Sequence, residues 1–96
     1  MERSKPLADF LSQVQHDGRI GATHIAIYVA PWRFRFDNGF PNPIHIFSRD
    51  IMPIAKVSWR NTFYNCVRDL HNYGYIRYEP SNNKNIGSRV YFADNE

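Results

Sequence analysis

The 96 residues hold a single cysteine, Cys66, so no internal disulfide can form and a reducing compartment is expected. The five glycines are dispersed singly, which leaves no glycine-rich loop to cradle a phosphate. No stretch approaches the roughly 18 apolar residues that a membrane span needs. Glu2, Arg3, Lys5, Asp9 and Asp17 interrupt the N-terminal segment, so a signal peptide is not expected either. These absences predict a cytoplasmic chain with no membrane partner. Internal repeats and low-complexity runs are also missing. His16, His24 and His45 lack metal-ligand spacing, and no cofactor is expected. Ser58 and Ser88 have no base and acid that the sequence places beside them, so no catalytic residue and no enzyme are expected.

What is present is apolar and aromatic material, 43% and 16% of the residues, enough for one hydrophobic core and too much for a disordered chain. The length suits a single domain over residues 1–96. Twelve Lys and Arg stand against nine Asp and Glu, a formal +3. The excess is uneven, because the span from Arg49 to Tyr91 carries seven cations against three acids, while the rest carries five against six. Positive charge gathered on one half suits a phosphate-binding surface.

Punctuation and periodicity divide the chain. Leu7, Phe10, Leu11 and Val14 recur at helical steps after Pro6 and predict a short amphipathic helix ending at Asp17-Gly18, a routine turn signal. Ile20 to Ala30 is dense enough in apolar residues for a buried helix, which Pro31 should bend or stop. Phe34 to Pro43, with Asp37-Asn38-Gly39 and two prolines, reads as a loop. Trp32, Phe34, Phe36 and Phe40 are expected to close the core or, if exposed, to form a partner surface. Ile44-His45-Ile46 suits one short strand. Ser48 offers an N-cap for a short helix containing Ile51, Ile54 and Ala55, with Pro53 awkward inside it. Ser58 is a second N-cap candidate, and Gly74 should close the helix from Trp59 to Tyr73. Two β-branched and aromatic runs, 75–79 and 88–92, flank an Asn-rich loop and predict a β-hairpin.

On the helix from Trp59 to Tyr73, with Phe63 at 0° and about 100° per residue, Trp59, Cys66, Val67 and Leu70 fall between about 300° and 40° as a core stripe. Arg68, Asn61, Asn72 and Asn65 fall between about 140° and 200° on the opposite side. Asn can bond adenine bidentately and Arg can bond guanine, so Asn61, Asn65 and Arg68 are candidate base readers in a major groove. Ser58, Arg60 and Tyr64, with Lys84 and Arg89 on the hairpin, are candidate DNA-backbone contacts. Cys66 near about 300° and His71 near about 80° point too far apart to share a metal. Three Asn on one helix are otherwise hard to account for, since Asn is a poor helix former.

The order of two helices joined by a tight connection (about 48–73) and then a hairpin with a basic tip (about 75–93) is that of a winged helix-turn-helix. The run IFSRDIMPIAKVSWRNTFYNCVRDLHNYGYIRYEPS from Ile46 to Ser81, DGRIGATHIAIYVA from Asp17 to Ala30 and GSRVYF from Gly87 to Phe92 resemble small winged-helix proteins of bacterial conjugative elements and plasmids. Pro53 and Pro31-Trp32 depart from that pattern, at no position assigned to base contact. The resemblance implies an α+β fold of three to four helices with a C-terminal two-stranded wing. It also implies sequence-specific binding of double-stranded DNA as a transcriptional regulator or excision factor, and leaves a homodimer on DNA open. The alternatives are a protein-interaction module and the DNA-binding fragment of a plasmid replication initiator.

Overall fold

The computed structural model describes residues 5–81 and 85–92. The order is α1 (Lys5–Val14), α2 (Ala22–Val29), α3 (Trp32–Asp37), β1 (Ile44–Ile46), α4 (Ser48–Ala55), α5 (Arg60–Asn72), β2 (Ile76–Glu79) and β3 (Ser88–Phe92). The fold is α+β. Helix α2 packs against both α4 and α5, and the sheet covers the other side of α5. The shared core contains Phe10, Ile27, Tyr28, Trp32, Ile44, Ile51, Phe63, Val67, Leu70, Val90 and Phe92. Each large apolar side chain removed from water in this way contributes about 1.5–3 kcal/mol. No helix among the described residues is long and apolar enough to cross a membrane.

Two expectations about the middle of the chain need correction. Residues 32–37 form a helix, so the first part of the loop expected from Phe34 to Pro43 is helical: Pro31 precedes it with φ −64°, the value that its ring enforces and that suits a helix start. The described residues therefore hold five helical segments where three to four were expected. Arg35 on α3 is 0% exposed, its guanidinium 4.3 Å from the Trp32 ring and 4.8 Å from Phe92, with Nε donating to the Pro41 carbonyl at 3.0 Å. Trp32 is buried, whereas Phe36 is half exposed, so the aromatic cluster only partly closes the core.

Among the described residues the sheet has three strands in the order β1-β3-β2, both pairings antiparallel: the expected hairpin β2-β3 and the short strand expected at 44–46, which joins it along β3. β1 joins because its alternation puts Ile44 and Ile46 into the core and leaves His45 outside, which suits a half-buried strand. The register places Ile44 opposite Val90 and Tyr78 opposite Val90 from the other side. His45, Arg77, Glu79, Arg89 and Tyr91 consequently share the outer face of the sheet, away from α5.

The N-caps of α4 and α5 are Phe47 and Trp59 and not Ser48 and Ser58. Both residues are extended, and their carbonyls accept from Ile51 N–H at 3.2 Å and Phe63 N–H at 3.1 Å, the first turn of each helix. Pro53 lies inside α4 on its exposed side, and the helix continues through it to Ala55. At the end of α5, Gly74 has φ +87° as expected. Gly74 N–H donates to the His71 carbonyl at 3.1 Å and Tyr75 N–H to the Leu70 carbonyl at 2.9 Å, so the left-handed residue satisfies two orphan carbonyls and turns the chain into β2.

Asp17 does more than mark a turn. Arg19 grips both its carboxylate oxygens at 2.9 Å, and the Tyr75 hydroxyl donates to it at 2.6 Å. Arg19 and then Tyr75 hold the Asp17 carboxyl well below the usual carboxylate range, while partial burial and then the Asp17 carboxylate push the Tyr75 phenol up. The same Arg19 stacks 4.0 Å over Tyr73. The turn after α1 is thus tied to the junction of α5 and β2.

Candidate nucleic-acid interface

Helix α5 is amphipathic, and the sequence-derived stripe holds at every position but one. Phe63, Cys66, Val67 and Leu70 are buried, and burial pushes the Cys66 thiol up. Trp59 departs from the stripe: it is 75% exposed. Helical geometry begins only at Arg60, so the extended backbone of Trp59 (φ −113°, ψ 129°) swings its indole away from the direction that a helix would give it.

Asn61, Asn65 and Arg68 are all exposed, as are Ser58, Arg60 and Tyr64. The side chains of Asn61, Asn65 and Arg68 make no hydrogen bond or ion pair among the described residues. The cations elsewhere differ in this respect. Lys5 pairs with Asp9, Arg19 with Asp17 and Arg33 with Asp37, while Arg77 and Arg89 share Glu79. Arg49, Lys56, Arg60 and Arg68 have no carboxylate partner among the described residues, and all four are exposed. Arg49 stacks 4.3 Å over Phe47. Among the described residues, the exposed cations without a carboxylate partner therefore lie on α4, α5 and the link between them.

Both flanks of α5 are held. On one, the His24 ring takes the Gly21 amide on Nδ1 at 3.1 Å and meets the Asp69 carboxylate through Nε2 at 2.9 Å. The acceptor at Nδ1 puts the ring proton on Nε2, so His24 donates to Asp69 and ties α2 to α5. On the other flank, the Tyr78 amide of β2 donates to His71 Nδ1 at 3.0 Å, which ties the hairpin to α5 and leaves the His71 proton on Nε2.

Between α5 and the hairpin lies a groove of about 490 Å³, lined by Tyr64, Arg68, His71, Tyr78, Pro80, Ser81 and Ser88. It brings Tyr64 and Arg68 together with residues that sequence reasoning did not assign. His71 had a visible signal, since about 80° on the helical projection sets it beside Tyr64 at about 100°. Tyr78 and Ser88 had none, because they reach the groove only through strand pairing.

Arg89 is not brought to this surface. It is exposed on the outer sheet face and bridges Glu79 at 3.2 Å. Lys84, with Asn82 and Asn83, lies outside the described residues. Compared with family models, curated proteins and solved structures, the chain matches none.

Proposed function

We propose that the chain is a winged helix-turn-helix protein that binds double-stranded DNA sequence-specifically, as a transcriptional regulator or excision factor of a mobile element. Helices α4 and α5 form the helix-turn-helix, α5 enters the major groove, and β2-β3 is the wing. The observation that carries this reading is the coincidence, on one unit, of an open amide-bearing face and cations that lack carboxylate partners among the described residues. A helix face with unspent donors and acceptors suits base edges, and unneutralised cations beside it suit phosphates.

Asn61 and Asn65 read bases. Ser58, Arg60 and Tyr64 hold the backbone, and Lys84 is assigned the same role from the sequence. Trp59 adds an apolar surface at the start of α5 that suits a thymine methyl. Arg68 faces the groove beside the wing and takes a different part, developed below.

The test is a gel-shift series with DNA from around the chain's own gene and with random duplex. Asn61→Ala and Asn65→Ala should each weaken the cognate complex by about 1–3 kcal/mol and leave binding to random DNA nearly unchanged. Equal losses on both DNAs would refute base reading. One observation favours the docking alternative: Trp59 and Ile54 expose apolar surface. Absence of binding to any duplex at about 50 mM salt would select that alternative.

A further inference from the structure

We propose that the groove between α5 and the wing is a phosphate seat. Resting on the DNA reading above, it assigns the occupant as one phosphodiester of the duplex backbone. Among the described residues the lining contains one cation and no carboxylate. Its unspent groups are donors. Arg68 has no ion-pair partner among the described residues, and the Tyr64 hydroxyl has no hydrogen-bond partner there. His71 spends Nδ1 on the Tyr78 amide and keeps Nε2–H. Ser88 Oγ accepts from the Tyr78 hydroxyl at 3.2 Å and from the Ser81 amide at 3.4 Å, so its own hydroxyl proton is the one left to give.

Two of these donors are fixed by bonds that cross from one wall to the other or span the wing. The Tyr78 amide sets the His71 ring, and Tyr78 and Ser81 set the Ser88 hydroxyl. A fixed cluster of donors around one guanidinium, with no acid among the described lining residues, is complementary to an anion with several acceptor oxygens, and a tetrahedral phosphate offers them. The volume of about 490 Å³ admits the phosphate with its adjoining sugar. Arg68 is thereby moved from base reading to the backbone, and His71 and Ser88 become contact residues.

The experiment follows the full chain by ¹H–¹⁵N NMR in two titrations. One uses methyl phosphate against a potassium chloride control of equal ionic strength. The other uses a random duplex of about 20 base pairs at about 50 mM salt, a length and concentration at which non-specific contacts form. Both ligands should move Arg68 Nε–H, the His71 ring and the Ser81 and Ser88 amides. Arg68→Met should remove these responses and lower the salt slope of duplex binding by about 0.9. His71→Asn keeps a side-chain oxygen for the Tyr78 amide but lacks the Nε2–H donor. It should weaken duplex binding about tenfold, the loss of one hydrogen bond to a charged group, without changing the slope.

Duplex that shifts Asn61 and Asn65 but leaves the groove unmoved would overturn the seat and keep the proposed function. Methyl phosphate that shifts the groove while duplex shifts nothing would keep the seat, make its ligand a small phosphate ester, and overturn the DNA reading. Silence in both titrations overturns both.

Discussion

Salt offers a direct test of the charge distribution. Arg49, Lys56, Arg60 and Arg68 are exposed and have no carboxylate partners among the described residues, so each can meet a DNA phosphate without first breaking an ion pair. These four alone, before any contribution from Lys84, give a slope of about −3.6 for log K against log salt, at about −0.9 for each. From about 50 to about 200 mM salt the logarithm of concentration rises by about 0.6, so affinity for random duplex should fall at least about 150-fold. Fluorescence anisotropy with a labelled duplex measures this. Arg60→Ala should reduce the slope by about 0.9, whereas Arg33→Ala, which removes a cation already paired with Asp37, should leave it unchanged. A slope near zero, or equal effects of the two variants, would refute the assignment of this unit as the phosphate-binding surface.

Three further outcomes test the fold that supports it. Lys56 closes α4 in the left-handed region at φ 61°, so Lys56→Gly should stabilise the protein by about 0.5–1 kcal/mol in urea unfolding while lowering the salt slope of duplex binding by about 0.9. Gly74→Ala and Gly87→Ala both place a side chain at positive φ, but only at Gly87 would the new Cβ meet a backbone oxygen, that of Ile46 at 2.7 Å. Gly74→Ala should therefore lose about 1 kcal/mol and Gly87→Ala at least twice that, and equal losses in thermal melts would contradict the close approach. Because the Asp17 carboxyl is depressed in the folded state, its stabilisation is present above the ordinary aspartate value of 3.8 and fades as pH falls below it. Wild type should exceed Asp17→Asn in urea midpoint at about pH 7, and that margin should shrink as pH is lowered from about 4 to about 2, whereas a margin unchanged with pH would show that Asp17 is not the source.

Local signals were enough for part of this architecture. Gly74 announced the end of α5 because a left-handed closing residue favours glycine, and the stripe Phe63, Cys66, Val67, Leu70 follows from the helical period alone. The hairpin strands were readable from composition. Segment 32–37 was not, since a helix carrying Arg33, Arg35 and Asp37 among aromatics looks solvent-facing until Phe92 arrives from the far end of the chain to cover Arg35. The strand Ile44-His45-Ile46 was readable, but its place in the sheet was not: it is too short to show its partner, which lies some forty residues away in β3. Trp59 misled because the helical projection was carried one residue past the point where helical geometry begins.

The arrangement around α5 explains why one of its faces is left open. Its apolar stripe is taken by the core, the Asp69 side by His24 of α2 and the His71 side by the Tyr78 amide of β2. Each attachment comes from a different element, so the helix can neither roll nor slide without breaking one of them, and what remains is the sector of Asn61, Asn65 and Asn72. If they read bases as proposed, short polar side chains on a helix held in this way would lose little additional freedom on binding, a property that favours direct readout. The core stripe and the amide face follow from local period. The two polar attachments depend on residues forty-five and seven positions away, so their joint effect becomes visible only once the chain has folded.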